Sequence, residues 1–155
     1  MQQLGAEIRA NQRATDKVDE VVADLLGVNR TDSRCLDILE QEGRISAGRL
    51  ASSSGLSTGA VTAVVDRLER AGYARRVPDS SDRRRVLIEL TERARELIWE
   101  LMGRPMREAG RPMIDRYSDA ELELLIEFQR RGREMQERHA EWLREQIPKF
   151  RQAAR

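Results

Sequence analysis

The hydrophobic and polar positions of residues 46–90 predict two short helices, a tight turn between them and a two-stranded ribbon. Four apolar residues recur at the spacing of one helical face: Val61, Val64, Val65 and Leu68. They predict a helix over 57–71 that is anchored by this face. Gly55 suits the preceding turn because glycine adopts a positive φ without strain, and the Ser57 hydroxyl can cap the helix that follows. The shorter helix before the turn covers 46–53.

The other face of the second helix carries small or polar residues: Thr58, Gly59, Thr62, Ala63 and Asp66. The second helix of a helix-turn-helix has this division, because it is anchored by apolar residues and presents its other face to a DNA groove. We therefore expect DNA contacts from this helix, with Arg67 as a further candidate. Ala51 fits the same motif, since a small residue allows the two helices to cross closely.

A basic ribbon is predicted after this helix, which Gly72 ends. Residues 73–77 have weak strand character, and residues 85–90 alternate with three apolar positions on one face, namely Val86, Ile88 and Leu90. Turn-forming residues fill 78–82 between the two strands. Three adjacent arginines lie at the tip of the ribbon: Arg83, Arg84 and Arg85. Arginines on a projecting hairpin fit phosphate contact or insertion into the minor groove.

Further helices are predicted on both sides of this module. Thr31 or Asp32 can cap a helix that ends near Gly43, and Thr91 can cap another after the ribbon. The stretch after Thr91 contains the tetrapeptide Gly-Arg-Pro-Met twice, with a period of seven residues. Because proline interrupts a helix, we expect one kinked helix or two short ones over 91–117.

The two ends of the chain are predicted to be long helices with one apolar face each. Residues 4–26 repeat apolar positions at three and four, and Ser118 or Asp119 can cap a last helix over about 120–147. The apolar seam of this last helix is Leu122, Leu125, Phe128, Gly132, Met135, His139 and Trp142. A terminal helix cannot bury such a seam on a small DNA-binding module, so we expect the same helix of a second chain to cover it.

These elements predict a mainly α fold with a small β-wing, in which a winged helix-turn-helix is flanked by N- and C-terminal dimerisation helices. The predicted domains are an N-terminal dimerisation helix over 1–30, a DNA-binding domain over 31–90, and a linker helix with C-terminal dimerisation helices over 91–155. The predicted dimer interface consists of Leu125, Phe128, Met135, His139 and Trp142.

Charge is uneven along the 155-residue chain, although the net charge is only +1. Residues 44–85 carry nine arginines against four acidic residues, whereas residues 1–43 and 86–128 are net acidic. Positive charge therefore peaks on the proposed DNA-binding module, and again over 129–155. Aromatic residues make up only 4% of the chain, which disfavours folds that stack single-stranded bases on aromatic platforms.

Catalytic and metal-binding patterns are missing from the sequence. The chain has one histidine, His139, and one cysteine, Cys35, so an intramolecular disulfide is ruled out and a zinc site of the usual type is disfavoured. There is no nucleophile elbow, glycine-rich phosphate loop or metal cluster, and we expect neither an enzyme nor a cofactor. No segment has the character of a membrane span or a signal peptide, so we expect a cytoplasmic protein without a membrane partner.

With these motifs in place, the chain resembles the MarR (multiple antibiotic resistance) family of transcriptional regulators over nearly its whole length. The most specific match is GLSTGAVTAVVDRLERAGYARRVPDSSDRRRVLIELTERAREL. The family's recognition helix ends with an aspartate, a leucine and a glycine, which match Asp66, Leu68 and Gly72. Its wing has an Asp-x-Arg followed by a strand and Leu-Thr, which match Asp82, Arg84, Leu90 and Thr91.

The resemblance implies a homodimer whose end helices interlock and whose two winged domains bind a palindromic operator in double-stranded DNA. It implies that Arg84 enters the minor groove with Asp82 orienting it, and that the major groove is met by Ser57, Thr58, Ala60 and Thr62. Many members release DNA when a small aromatic or phenolic ligand binds between the dimerisation helices and the winged domain. We predict that such a ligand site has an apolar wall of Trp99, Met102 and Met106, which follow at three and four; the alternative is that they fill core.

Three features keep other interpretations open. Some members have a base-reading arginine where this chain has Ala63. Sequence recognition is therefore expected to depend more on the wing and on DNA shape. Some members sense peroxide through a cysteine, and Cys35 is a candidate, although a thiol on an apolar helix face is usually inert. The chain could instead be an architectural DNA-binding protein that responds to no ligand. The predicted function is a sequence-specific regulator, expected to be a repressor.

Overall fold

The computed structural model describes residues 2–82 and 84–153 of the chain, which forms two compact units, Met1–Pro105 and Met106–Arg155. The helices are α1 (Gln2–Leu26), α2 (Arg30–Glu42), α3 (Ala47–Ser54), α4 (Thr58–Arg70), α5 (Glu92–Ile98), α6 (Arg104–Ile114) and α7 (Asp119–Ala153), with a π-helical turn at Trp99–Gly103. The strands are β1 (Ile45–Ser46), β2 (Ala74–Pro78) and β3 (Val86–Leu90). The predicted mainly α fold with a small β-wing is confirmed.

The core of the first unit is built around the apolar face of α4. The four residues predicted to form this face are all buried: Val61, Val64, Val65 and Leu68. They belong to one cluster with apolar residues of α2, α3, β3 and α5, including Leu36, Leu39, Leu50, Ile88, Leu90 and Ala94. Burial of each large aliphatic side chain contributes about 1.5–3 kcal/mol, so the exposed face of α4 is determined by what its other face buries.

The turn between α3 and α4 has the predicted geometry. Gly55 ends α3 with a φ of 72°, in the left-handed region that favours glycine. The Ser57 hydroxyl accepts a hydrogen bond from the N–H of Ala60 at 3.3 Å and so caps α4. The helix-turn-helix predicted from the sequence is therefore present, with α3 displaced by one residue from its predicted range.

The wing belongs to a three-stranded antiparallel sheet with the order β1-β3-β2. The sequence pattern predicts only two strands, because β1 has two residues and so short a segment shows no alternation. Of the three residues on the predicted apolar face of β3, Ile88 and Leu90 are buried and Val86, at the start of the strand, is exposed. Glu89, on the opposite face, is also buried.

Helix capping agrees with the sequence at two positions and differs at a third. Thr91 caps α5 and Ser118 caps α7, as predicted. The cap of α2 is Asn29, whose side chain accepts a hydrogen bond from the N–H of Asp32 at 2.9 Å. The prediction of Thr31 or Asp32 as the cap is wrong because the helix begins earlier, at Arg30.

The segment with the repeated tetrapeptide is helical over 92–114, and its irregularity is the π-helical turn at Trp99–Gly103. The N–H of Arg104 bonds to the carbonyl oxygen five residues before it. This wider turn lies immediately ahead of Pro105, whose missing N–H would leave a gap in an α-helical ladder. The predicted alternatives were one kinked helix or two short ones, and the structure has two short α-helices, α5 and α6, joined by the π turn.

The two Gly-Arg-Pro-Met tetrapeptides have different surroundings. A Cβ atom placed on Gly103 would overlap the indole ring of Trp99, so the first repeat needs glycine for this contact. No neighbouring atom lies within 4 Å of the same position at Gly110. The repeat in sequence is therefore not a repeat in packing.

The second unit contains the long helix α7, which extends beyond the predicted range of 120–147 at its C-terminal end. Large apolar side chains of this helix are exposed in the single chain: Leu125, Phe128, Met135 and Trp142. The rings of His139 and Trp142 stack with their centroids 5.6 Å apart. Among the described residues, no helix is long and apolar enough to cross a membrane.

We predict opposite effects of alanine at the two repeated glycines. Both substitutions gain about 1 kcal/mol of helix propensity, but Gly103→Ala must also displace the Trp99 ring. Gly110→Ala should therefore raise the Tm, whereas Gly103→Ala should lower it and change the near-ultraviolet circular dichroism of Trp99. The chain has two tryptophans, so in a Trp142→Phe background the tryptophan signal comes from Trp99 alone. Equal melting temperatures with an unchanged Trp99 spectrum would contradict the packing described for Gly103.

Candidate nucleic-acid interface

Apart from Arg67, the predicted DNA contacts of the recognition helix lie at the N-terminal end of α4 or at its cap. Ser57, Thr58, Gly59 and Thr62 are exposed, and Ala60 is half-buried. The Thr62 hydroxyl donates a hydrogen bond to the Thr58 carbonyl at 3.1 Å. No neighbouring atom lies within 4 Å of the position that a Cβ atom would take on Gly59. The N-terminal half of α4 is thus a surface of short side chains that a DNA groove can approach closely.

The loop at the tip of the wing is shaped by two aspartates that bind backbone groups. Asp79 accepts hydrogen bonds from the N–H and the hydroxyl of Ser81 at 2.8 and 2.7 Å, and these bonds hold the pKa of its carboxyl below the usual value. Asp82 accepts a hydrogen bond from the N–H of Arg84 at 3.0 Å. The carboxylate of Asp82 therefore fixes the backbone from which the Arg84 side chain projects.

The arginines of the tip have different surroundings. Arg84 and Arg85 are exposed, and Arg83 lies outside the described residues. Arg85 is 4.0 Å from the carboxylate of Asp79. Arg84 forms no ion pair with any residue that the structure describes, so its charge is available to a ligand approaching the tip.

Ion pairs join the wing to the C-terminal half of α4. A guanidinium nitrogen of Arg76, on β2, lies 2.7 Å from Asp66, and the other terminal nitrogen binds Glu69. The backbone N–H of Arg76 also donates to Glu69, at 2.9 Å. The hydrogen bond to Asp66 raises the pKa of the guanidinium. Sequence reasoning missed Arg76, because nothing local shows that a strand residue faces two acids of the preceding helix.

Arg67, one of the predicted DNA contacts, forms an ion pair that joins two helices of the scaffold. Its Nε and Nη2 atoms donate to the two carboxylate oxygens of Asp32 at 2.8 and 2.6 Å. The side chain of Asp32 is only 4% exposed, and a buried carboxylate needs such a partner because an unpaired buried charge is costly. The pair holds the beginning of α2 against α4.

A groove of about 830 Å³ lies between α1 and α2 in the first unit. Much of its lining is polar or charged, with Thr15, Asp16, Asp19, Arg30, Arg34 and Asp37 among the contributors, while Leu56 and Met102 add apolar surface. Burial raises the pKa of Asp19, and the nearby carboxylates of Asp37 and Asp16 raise it further.

The three residues predicted as a ligand wall do not share one surface in the first unit. Met102 lines the groove, Trp99 lies against Gly103, and Met106 belongs to the second unit. The π turn departs from the α-helical spacing on which the prediction rested, and the three-residue wall stays a prediction.

The single cysteine is poorly placed for redox sensing. Cys35 is fully buried in the core of the first unit, and this burial raises the pKa of its thiol. Both features disfavour the thiolate, which is the reactive form. The described environment therefore gives no support to a thiol sensor.

Known proteins with similar sequences and structures have the same architecture. The MarR family profile matches residues 28–86. The chain is 40% identical over 126 residues to YcgE, an uncharacterized HTH-type transcriptional regulator of Bacillus subtilis, and the match covers 81% of each chain. A mutant of MepR from a multidrug-resistant S. aureus clinical isolate has a TM-score of 0.67 at 16% identity, with 85% of this chain and 96% of that one covered. NadR, solved in complex with 4-hydroxyphenylacetate, has a TM-score of 0.60 at 21% identity, with 81% and 88% covered.

A winged helix-turn-helix with an exposed recognition helix and a basic wing defines the class of protein as a DNA-binding transcriptional regulator. The chain belongs to the MarR family. The resemblance found in the sequence is thereby confirmed.

We predict that Arg67→Ala will lower the Tm by several degrees, because Asp32 loses its partner. The affinity of the folded variant for a duplex selected by the wild-type protein should stay nearly unchanged. Arg70→Ala is the matched control, since among the described residues the Arg70 Nε atom binds the carbonyl of Asp66 on its own helix, at 3.1 Å, and no carboxylate. Thermal unfolding and fluorescence anisotropy measure the two quantities. An unchanged Tm with a large loss of affinity would show instead that Arg67 contacts DNA.

Proposed function

We propose that this protein is a sequence-specific repressor that binds a palindromic operator as a homodimer and is released by a small effector. The observation that carries the proposal is that one module presents both the exposed face of α4 and the projecting tip with Arg84. Arg76 joins these two surfaces through its ion pairs with α4. A helix of this kind fits the major groove, and an arginine on a neighbouring wing fits the minor groove.

Two copies of the chain would account for the apolar side chains exposed at its ends. In α1 these are Leu4, Ile8, Val18, Val21 and Leu25, and in α7 they include the predicted interface residues Leu125, Phe128, Met135 and Trp142. Exposed apolar faces of this extent mark protein interfaces. A two-fold dimer places its recognition helices in successive major grooves about 34 Å apart, and this symmetry requires a palindromic operator.

The proposed reading of DNA depends more on the wing than on α4. The exposed face of α4 offers the hydroxyls of Ser57, Thr58 and Thr62, and these discriminate bases less strongly than a bidentate arginine. Specificity would therefore come in large part from Arg84 in the minor groove and from sequence-dependent DNA shape. Arg85, together with Arg83, is a proposed phosphate contact.

The groove between α1 and α2 is the proposed effector site. Its lining combines the guanidinium groups of Arg30 and Arg34 and the apolar side chain of Met102 with the carboxylates of Asp16, Asp19 and Asp37. Arg30 is paired with Asp16 at 3.5 Å, so Arg34 is the group proposed to receive the carboxylate of a small aromatic acid. NadR, which is similar in fold, was solved with 4-hydroxyphenylacetate, a ligand of that chemistry. An effector that favours another spacing of the two recognition helices weakens DNA binding by its differential affinity for the two states, and DNA weakens effector binding equally.

Arg84→Ala should cost on the order of 1–3 kcal/mol of binding free energy and relax sequence preference where the wing meets the minor groove. Arg85→Ala and Arg83→Ala should weaken binding to all duplexes alike. Each should also reduce, by about one, the magnitude of the slope of the logarithm of the binding constant against the logarithm of salt concentration. Titrations of selected and unrelated duplexes at several salt concentrations separate these outcomes. Equal losses on every duplex for all three variants would contradict the role proposed for Arg84.

Compounds that bind the groove should raise the Tm of the protein and release it from the selected duplex. A panel of small aromatic acids, beginning with 4-hydroxyphenylacetate, provides the probes. Arg34→Ala and Met102→Ala should each weaken the response to an active compound about tenfold, while DNA affinity without the compound is retained. An unchanged response in both folded variants would place the effector site elsewhere. A panel without any active compound would favour the architectural alternative.

A further inference from the structure

A buried carboxylate lies at the base of the wing, apart from the surfaces described above. Glu89 is on β3, the middle strand, where it is paired in register with Arg75 of β2. Its Oε1 atom accepts a hydrogen bond from the Nε of Arg75 at 2.7 Å, and its Oε2 atom accepts one from the Nε of Arg44 at 2.7 Å. A guanidinium nitrogen of Arg95 lies 3.9 Å from Oε2. We refer to these four residues as the Glu89 cluster.

The Glu89 cluster joins the residue before β1, both strands of the ribbon and α5. The Glu89 side chain is only 3% exposed, whereas those of its three arginines are 43–58% exposed. Burial alone raises the pKa of Glu89, but hydrogen bonds from Arg75 and Arg44 outweigh it and leave the pKa below the usual value. A buried charge cannot leave its partners without a large cost, so the carboxylate fixes where the three guanidinium groups lie.

The position of the cluster along the ribbon indicates what it controls. The last residue pair of the ribbon is Pro78 with Val86, three residues from Glu89 and therefore about 10 Å away along the strand. The cluster thus holds the base of the wing, while Arg84 projects from the tip. A change in strand direction at the base displaces the tip, and the minor groove is only about 6 Å wide, so a displaced Arg84 would no longer be aligned with it.

We propose that Glu89 is a positioning residue for DNA binding: by holding Arg44, Arg75 and Arg95 it sets the direction in which the wing presents Arg84 to the minor groove. This inference rests on the proposed function of Arg84. Glu89 itself does not touch DNA in this arrangement. Glu89 affects DNA affinity indirectly, by setting the direction of the wing, and the effect therefore depends on the contact that Arg84 makes with the minor groove.

A double-mutant cycle tests this dependence. Glu89→Gln keeps the size of the side chain but removes the charge that holds the arginines. It should lower affinity for the selected duplex about tenfold in the wild-type background and less than about twofold in the Arg84→Ala background. Glu92→Gln is the matched control. It makes the same change of charge on an exposed glutamate that also binds Arg95, at 2.9 Å, and should leave affinity within about twofold.

A second variant changes an exposed arginine of the cluster and leaves the buried carboxylate in place. Arg75→Lys keeps the charge but loses the paired bonds from Nε and Nη2 to Oε1 of Glu89, at 2.7 and 2.6 Å. It should reproduce the loss of affinity and its dependence on Arg84, even if Glu89→Gln proves too unstable. All titrations are made at a temperature where circular dichroism shows each variant to be folded.

Each of the other outcomes overturns the proposal. Equal losses from Glu89→Gln with and without Arg84 would mean that Glu89 supports the fold and not the direction of the wing. A gain in affinity on every duplex, with a steeper salt dependence, would mean that the released arginines bind phosphates themselves. If Arg84→Ala alone has no effect, the DNA role of Arg84 fails first, and the positioning role fails with it.

Discussion

Burial of one face of α4 is the constraint on which the rest of the structure depends. Val61, Val65 and Leu68 are fully buried in one cluster with apolar residues of α2, α3, β3 and α5, so rotation of α4 about its axis would expose all three at once. At about 1.5–3 kcal/mol for each side chain, exposing all three would cost about 4.5–9 kcal/mol, which is comparable to the net stability of a typical domain, about 5–15 kcal/mol. The exposed face with Thr58 and Thr62 is therefore held in a fixed direction, as a surface that reads DNA must be.

Ionic contacts then connect this core to parts of the module that have little apolar surface to bury. Asp32 and Arg67 hold the beginning of α2 against α4, and Arg76 holds β2 against the same helix. Glu89 holds the base of the wing. Two of the four carboxylates in these contacts, those of Asp32 and Glu89, are buried, whereas those of Asp66 and Glu69 are not. Because a buried charge depends strongly on its partner geometry, these contacts favour one wing position over others.

Local patterns in the sequence predicted the helices, the glycine turn and most of the caps, because each depends on residues within a few positions of one another. The buried face of α4 was predicted from the helical spacing of its apolar residues. Ser57 was predicted as the cap of this helix because it directly precedes them. The partners of Arg67, Arg76 and Glu89 could not be read in this way. Asp32 and Arg67 are 35 positions apart, and Arg44 and Glu89 are 45 apart, so only the fold brings them together.

Two further differences have local causes that the pattern does not reveal. The strand β1 consists of two residues and becomes a strand only by pairing with β3. The π turn at Trp99–Gly103 alters helical spacing without any change in the apolar pattern, and the three-residue ligand wall was predicted on α-helical spacing. The apolar seam of α7 was visible in the sequence, and the partner proposed to cover it is a second chain.

The most direct test of the proposed mode of action is the mass of the complex between the full-length protein and one selected duplex. Sedimentation equilibrium at micromolar protein gives this mass, and it also gives the mass of the protein alone. Two chains on each duplex, and a two-chain particle in the absence of DNA, are the expected results. A single chain in solution that binds the duplex with one chain per site would contradict both the homodimer and the palindromic operator.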